Sequence, residues 1–190
     1  MSVRGLVLFP GAGSNRDQST LIAIEQAVKL VPTIRADFLY RRAGRKIPDR
    51  LPVLMQCVRD EVRAVAKNLD CSTSDLVIGG RSMGGRICTM AVADGSDPLT
   101  VHGVICVSYP LHPPNKSDQS RIAHLPGVGV PSLFVSGTRD EFGSVDELTL
   151  ALGLMPISPT IEFIVGGRHE LKGHDDRVAV IVSQWLLGLQ

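Results

Sequence analysis

The sequence predicts an α/β fold, a three-layer sandwich in which a mostly parallel sheet of about six strands carries helices on both faces. Two observations carry this expectation. Short runs rich in Val, Ile, Leu and Phe alternate along the chain with segments of helical periodicity. Each run is apolar at consecutive positions, which marks strands buried on both faces. Strands joined through helices pair in parallel, because a parallel neighbour needs a crossover. The 190 residues suffice for one buried core, and no composition shift, repeat or low-complexity stretch divides them, so one domain over residues 1–190 is expected.

The elements follow in order. The first strand run, Val3 to Phe9, ends at Pro10-Gly11, and a helix is expected from near Asp17. The second run, Ile34 to Leu39, leads into the basic segment YRRAGRKIPDR. Leu51, Leu54, Met55, Val58, Val62, Val65, Ala66 and Leu69 then form one helical stripe. A third run, Asp75 to Ile78, opens into GGRSMGGR and a helix bearing Met83, Ile87, Met90 and Ala91. After Val101 to Val107, the prolines at 110, 113, 114 and 126 argue against regular structure from Tyr109 to Pro131. Ser132 to Ser136 is the next strand, and Ser144 with Glu147 reads as a capping box. Thr160 to Val165 is the last strand. Asp175-Asp176 opens a final helix whose stripe runs Val178, Ile181, Val182, Trp185, Leu186 and Leu189.

Composition excludes several function classes. The net charge is +1 and the charges are dispersed, so no basic face suggests nucleic acid. The apolar stretch Gly5 to Phe9 is shorter than a signal-peptide core, and no later run is long enough to span a bilayer. A soluble cytoplasmic protein is therefore expected. Cys57, Cys71, Cys88 and Cys106 lie far apart with no metal-ligand spacing, so they read as structural thiols.

The chemistry concentrates around Ser82. Gly80-Arg81-Ser82-Met83-Gly84 satisfies GxSxG between a strand and a helix, where a sharp turn lifts a serine clear of the sheet. Glycines two residues to either side allow strand and helix nearly to touch. The competing interpretation is a helix N-cap serine after a glycine-rich strand exit. A nucleophilic serine needs a base, and the base an orienting acid, from loops at the same sheet edge. Asp140 follows the Ser132 run through Gly137-Thr138-Arg139, and His169 follows the Thr160 run through Gly166-Gly167-Arg168. Ser82, Asp140, His169 is the chain order of α/β-hydrolases. Among rivals, His174 abuts the last helix, His102 begins a strand, and His112 and His124 belong to the proline-rich connection. Glu141 is the nearest competitor to Asp140.

The oxyanion of acyl transfer needs two N–H donors. Met83 supplies one by position. Phe9-Pro10-Gly11-Ala12-Gly13 offers the second, with Ala12 expected and Gly11 the alternate. The start of a dinucleotide fingerprint, Gly11-Ala12-Gly13, competes for this loop, but Arg16 stands where the third glycine belongs.

The combination FPGAGSNRD, YRRAGRKIPDR, GGRSMGGR, SYPLHPP, SGTRDEFG and VGGRH resembles the small, lidless α/β-hydrolases grouped near the dienelactone hydrolases. That group includes the hydrolase-like subunit of the animal NSL chromatin-acetylation complex. The resemblance spans nearly the whole chain and implies Ser82 as nucleophile, Asp140 as acid and His169 as base, in a minimal α/β-hydrolase fold without a cap domain. Phe9-Pro10 stands where many relatives carry a histidine before the oxyanion glycine. The expected function is a serine esterase of dienelactone-hydrolase-like or carboxylesterase-like type, using no metal or organic cofactor and acting on a small ester or similar acyl substrate. The alternative is a hydrolase-fold interaction module with weak or no catalysis. Oligomers are compatible with either. Substrate contacts are expected from Arg41, Arg42, Arg81 and His112, with Arg45 and Lys46 in the same basic segment, which otherwise serves as a solvated loop paired with acids such as Asp37 or Asp49.

Overall fold

A computed structural model describes residues 3–189. Six strands form one sheet in the order β2-β1-β3-β4-β5-β6, every pairing parallel: β1 (Gly5–Phe9), β2 (Thr33–Arg35), β3 (Leu76–Arg81), β4 (Gly103–Val107), β5 (Ser132–Gly137) and β6 (Thr160–Ile164). The helices are α1 (Ser19–Ala27), α2 (Leu39–Arg42), α3 (Leu51–Asn68), α4 (Met83–Val92), α5 (Val145–Leu152) and α6 (Asp175–Gly188).

Alternation along each strand divides the core into two layers. Leu6, Leu8, Val77, Ile105, Leu133 and Val135 face α1 and α6, where Leu21, Ile24, Val178, Val182 and Leu186 cover them. Val7, Phe9, Ile78, Val104, Cys106 and Phe134 face the opposite way, under α3, α4 and α5. Cys57, Cys88 and Cys106 are buried in this second layer, where desolvation pushes all three thiols up. Among the described residues no group of His, Cys, Asp or Glu is arranged to hold a metal ion, and no helix is long and apolar enough to cross a membrane.

Two strands depart from the sequence expectation. The run Ile34 to Leu39 yields only Thr33–Arg35, because the chain turns at Phe38 into α2. Both β2 and β6 are edge strands, partly exposed rather than buried on both faces. Among the described residues no cap domain covers the sheet's carboxyl edge.

The Ser144 capping box closes as expected. The Ser144 hydroxyl accepts from the Glu147 N–H at 3.3 Å, and the Glu147 carboxylate accepts from the Ser144 N–H at 2.9 Å. The Ser144 hydroxyl and then its N–H hold the Glu147 carboxyl below its usual range. Ser144→Ala is expected to cost about 1 kcal/mol in chemical denaturation. A depressed carboxyl pKa stabilises the fold above its unfolded value and loses that contribution as pH falls through the folded one. The Ser144→Ala deficit therefore shrinks in acid, which denaturation curves at neutral and acid pH would show.

Candidate active site

The parallel register brings the site together. Phe9 pairs with Gly80, Arg81 with Val107 and Gly137 with Ile164, so the loops after β1, β3, β4, β5 and β6 leave the same edge of the sheet. Ser82 is the N-cap of α4 at φ 50° and ψ −115°, a left-handed conformation that costs a residue with a side chain about 1–3 kcal/mol. The glycines around it are required by contact: a Cβ on Gly80 or Gly84 would collide with the Phe9 carbonyl oxygen, and one on Gly85 would press on the Gly80 carbonyl. The Ser82 N–H donates to the Val107 carbonyl at 2.8 Å, pinning the turn to the neighbouring strand.

Three side chains from three loops meet here. His169 Nε2 lies 2.9 Å from Ser82 Oγ, and His169 Nδ1 lies 2.9 Å and 3.1 Å from the two Asp140 oxygens. Asp140 and His169 are both buried, while Ser82 is partly open to solvent. The Asp140 carboxylate also accepts from the Phe142 N–H at 2.9 Å and the Ser136 hydroxyl at 3.2 Å. With these donors on the carboxylate, its bond to the imidazole leaves Nε2 as the unprotonated, Ser82-facing nitrogen in the neutral ring. Phe142 stacks on the His169 ring at 3.9 Å between centroids and limits its rotation.

The rivals for these roles lie elsewhere. Glu141 accepts from the His169 backbone N–H at 3.2 Å, not from the imidazole; its own N–H and that of His169 hold its carboxyl below the usual range. His124 bonds Thr89 Oγ1 at 2.9 Å, and burial, with Arg86 nearby, pushes its pKa down to about 4. His174 is the N-cap of α6.

The loop after β1 runs beside Ser82, where a Cβ on Gly11 would touch Ser82 Cβ and the Arg81 carbonyl at ordinary contact distance. The Gly11 N–H points to Gln18 Oε1 at 3.4 Å, whereas the Ala12 N–H makes no hydrogen bond among the described residues. At the first position of α4, the Met83 N–H likewise lacks an intrahelical acceptor. Tyr40 Oη donates to the Ala12 carbonyl at 2.8 Å and fixes the loop from behind. Tyr40→Phe is expected to loosen the loop whose Ala12 amide the sequence offers as an oxyanion donor, and so to lower turnover of a short activated ester about 3- to 10-fold with little change in KM. Steady-state kinetics would show the split.

A cleft of about 880 Å³ opens over Ser82 and His169, walled by Ala12, Met83, Arg86, Arg121, Phe142 and Lys172 among others. The model of the alpha/beta hydrolase domain family matches residues 3–179. The chain belongs to that family. Solved structures of similar fold include dienelactone hydrolase from Anabaena variabilis (22% identity, TM-score 0.75, covering 98% of this chain and 87% of that one). Est1E from Butyrivibrio proteoclasticus is another (17%, 0.78, 99% and 88%), as is an alpha-beta serine hydrolase homologue from Coxiella burnetii (15%, 0.76, 98% and 86%).

In this alpha/beta hydrolase domain, of the four residues expected to touch substrate only Arg81 lines the cleft over Ser82. Arg41 and Arg42 do not line the cleft: α2 turns them outward, Arg42 pairs with Glu61 of α3 at 2.7 Å, and Arg45 pairs with Asp49 at 2.6 Å. His112 lies in a separate pocket of about 340 Å³ beside Glu147. Arg81 does reach the cleft, but its guanidinium donates to the His169 carbonyl at 2.7 Å and sits 3.4 Å from Glu170, tying the loop of His169 to the serine turn. Tyr40, Phe142 and Arg86 were missed. Tyr40 is the one aromatic in the basic segment, and Arg86 lies one helical turn beyond Ser82, a spacing that puts both on one face.

Proposed function

We propose that the chain is a serine hydrolase that cleaves a small ester or similar acyl substrate through an acyl-enzyme. The observation that carries this reading is the chain of 2.9 Å contacts from Ser82 Oγ through His169 to Asp140, mounted on a strained turn at the floor of an open cleft. Ser82 attacks the substrate carbonyl while His169 Nε2 takes its proton. The oxygen of the tetrahedral intermediate is held by the Met83 and Ala12 amides. Imidazolium then gives its proton to the leaving alcohol, and the acyl group stays on Ser82. Water, deprotonated by the same nitrogen, attacks the acyl-enzyme and releases the acid. Asp140 keeps the ring oriented and stabilises its positive charge without taking the proton. No step calls for a metal or organic cofactor.

An open cleft over the serine favours this activity over a hydrolase-fold interaction module. Kinship with the subunit of the NSL complex belongs to the same proposal and rests on the combination of FPGAGSNRD, YRRAGRKIPDR, GGRSMGGR, SYPLHPP, SGTRDEFG and VGGRH. Rapid mixing with 4-nitrophenyl acetate tests the mechanism: a burst of nitrophenolate equal to the protein concentration, followed by slower turnover, is expected. Hydrolysis no faster than in buffer would refute it.

A further inference from the structure

The cleft holds a cation that no acid among the described residues compensates. Arg86 lies on α4 with its backbone N–H on the Ser82 carbonyl at 3.1 Å, and its side chain lines the cleft. One turn of helix, about 5 Å along the axis, separates Arg86 from Ser82, and the two line the same cleft. Its Nε is buried and has no hydrogen-bond partner, and among the described residues the guanidinium makes no ion pair. Burial lowers the Arg86 pKa; its charged or titratable neighbours are Tyr109, His124 and a second cation, Arg121, with no carboxylate among them. Arginine does not deprotonate in proteins, so the charge persists.

The other charges in the cleft do not relieve it. Glu170 is beside Arg81, and Asp175 accepts from Thr20 Oγ1. Arg121 makes one long contact, 3.5 Å to the Pro110 carbonyl, and Lys172 is exposed on the far wall. A partly buried guanidinium without a counter-ion is costly unless an anion arrives to pair with it. Most of the other arginines near the cleft or in the basic segment, Arg81, Arg42 and Arg45, already have an acid beside them.

We propose that Arg86, assisted by Arg121, receives a carboxylate carried by the substrate, so that the preferred substrate is an ester whose acyl chain ends in a free carboxylate. The planar fork of a guanidinium matches a carboxylate with two parallel hydrogen bonds. Arg86 lies one turn of helix from Ser82 in the same cleft, so the acyl chain spans from the attacked carbonyl to Arg86 while the alcohol leaves toward solvent. This substrate class rests on the hydrolase reading above and replaces the outward-facing Arg41 and Arg42 as the source of anion recognition.

The test compares the mono-4-nitrophenyl ester of adipic acid with its methyl ester, which keeps the same chain between the two carbonyls, adds one methyl group and carries no charge. At low salt the wild-type protein is expected to prefer the carboxylate about 10- to 100-fold in kcat/KM. Added salt erodes the preference, Arg86→Gln brings the ratio toward unity, and Arg86→Lys restores part of it. Removing a buried charge that has no partner should hold or raise the thermal midpoint of Arg86→Met, whereas an arginine with a purely structural role would lower it. A second arm needs no turnover: calorimetry of Ser82→Ala protein with the corresponding carboxylate-bearing anilide, with and without Arg86→Gln. Equal rates for the two esters with normal turnover would overturn the substrate class and leave the hydrolase standing. Binding dependent on Arg86 without any turnover would keep the carboxylate site and remove the hydrolase. Absence of binding and of preference would overturn the proposal.

Discussion

Ser82→Ala is expected to lower hydrolysis of a short activated ester by about 10,000-fold or more while leaving the unfolding curve nearly in place. The large effect follows from the chemistry, since among the described residues no other hydroxyl meets His169 Nε2. The small one follows from packing. Ser82 Oγ makes one side-chain hydrogen bond, to a histidine that Asp140 and Phe142 already hold, and its loss is worth about 1 kcal/mol. Alanine retains the Cβ that makes φ 50° costly, so the strain of the turn stays. Ser82→Gly removes that Cβ and should unfold at a higher temperature than Ser82→Ala while being equally inactive. Retention of esterase activity in either variant would move the nucleophile elsewhere.

Asp140→Asn is the second large effect. Asparagine fits the same space and keeps an oxygen for the Phe142 N–H or the Ser136 hydroxyl, so the fold should survive. An amide NH₂ turned toward His169 Nδ1 makes that nitrogen an acceptor and leaves the proton on Nε2, facing Ser82. The base then cannot accept, and kcat is expected to fall about 10,000-fold. Glu141→Gln should change kcat within about threefold, because a neutral amide oxygen still accepts the His169 backbone N–H. Parallel kinetics on the two variants decide between neighbouring carboxylates. A larger loss in Glu141→Gln would transfer the orienting role to Glu141.

The layered architecture was legible because buried parallel strands and amphipathic helices have different periods, and only a crossover pattern fits their alternation. The positions after each strand were legible for the same reason: Ser82, Asp140 and His169 leave strand ends whose register is level. Three-dimensional pairing was not. The arginines of YRRAGRKIPDR look alike in sequence, yet Arg42 and Arg45 find acids on the outer surface while Tyr40 turns inward to the loop of Ala12. Which residue of that segment faced the site depended on the short β2 and the early turn at Phe38, and strand boundaries are set by tertiary packing that periodicity does not record. Arg86 carried a signal, its spacing from Ser82. Its isolation from acids could be seen only once every neighbouring side chain had a position.

The central claim, an activated Ser82, is tested most directly by intact mass spectrometry of the folded protein after exposure to a fluorophosphonate, followed by peptide mapping. A single phosphonyl adduct on the peptide containing Ser82, lost in Ser82→Ala and strongly slowed in His169→Ala, is the predicted result. An unmodified protein, or an adduct on another residue that persists in Ser82→Ala, would contradict it.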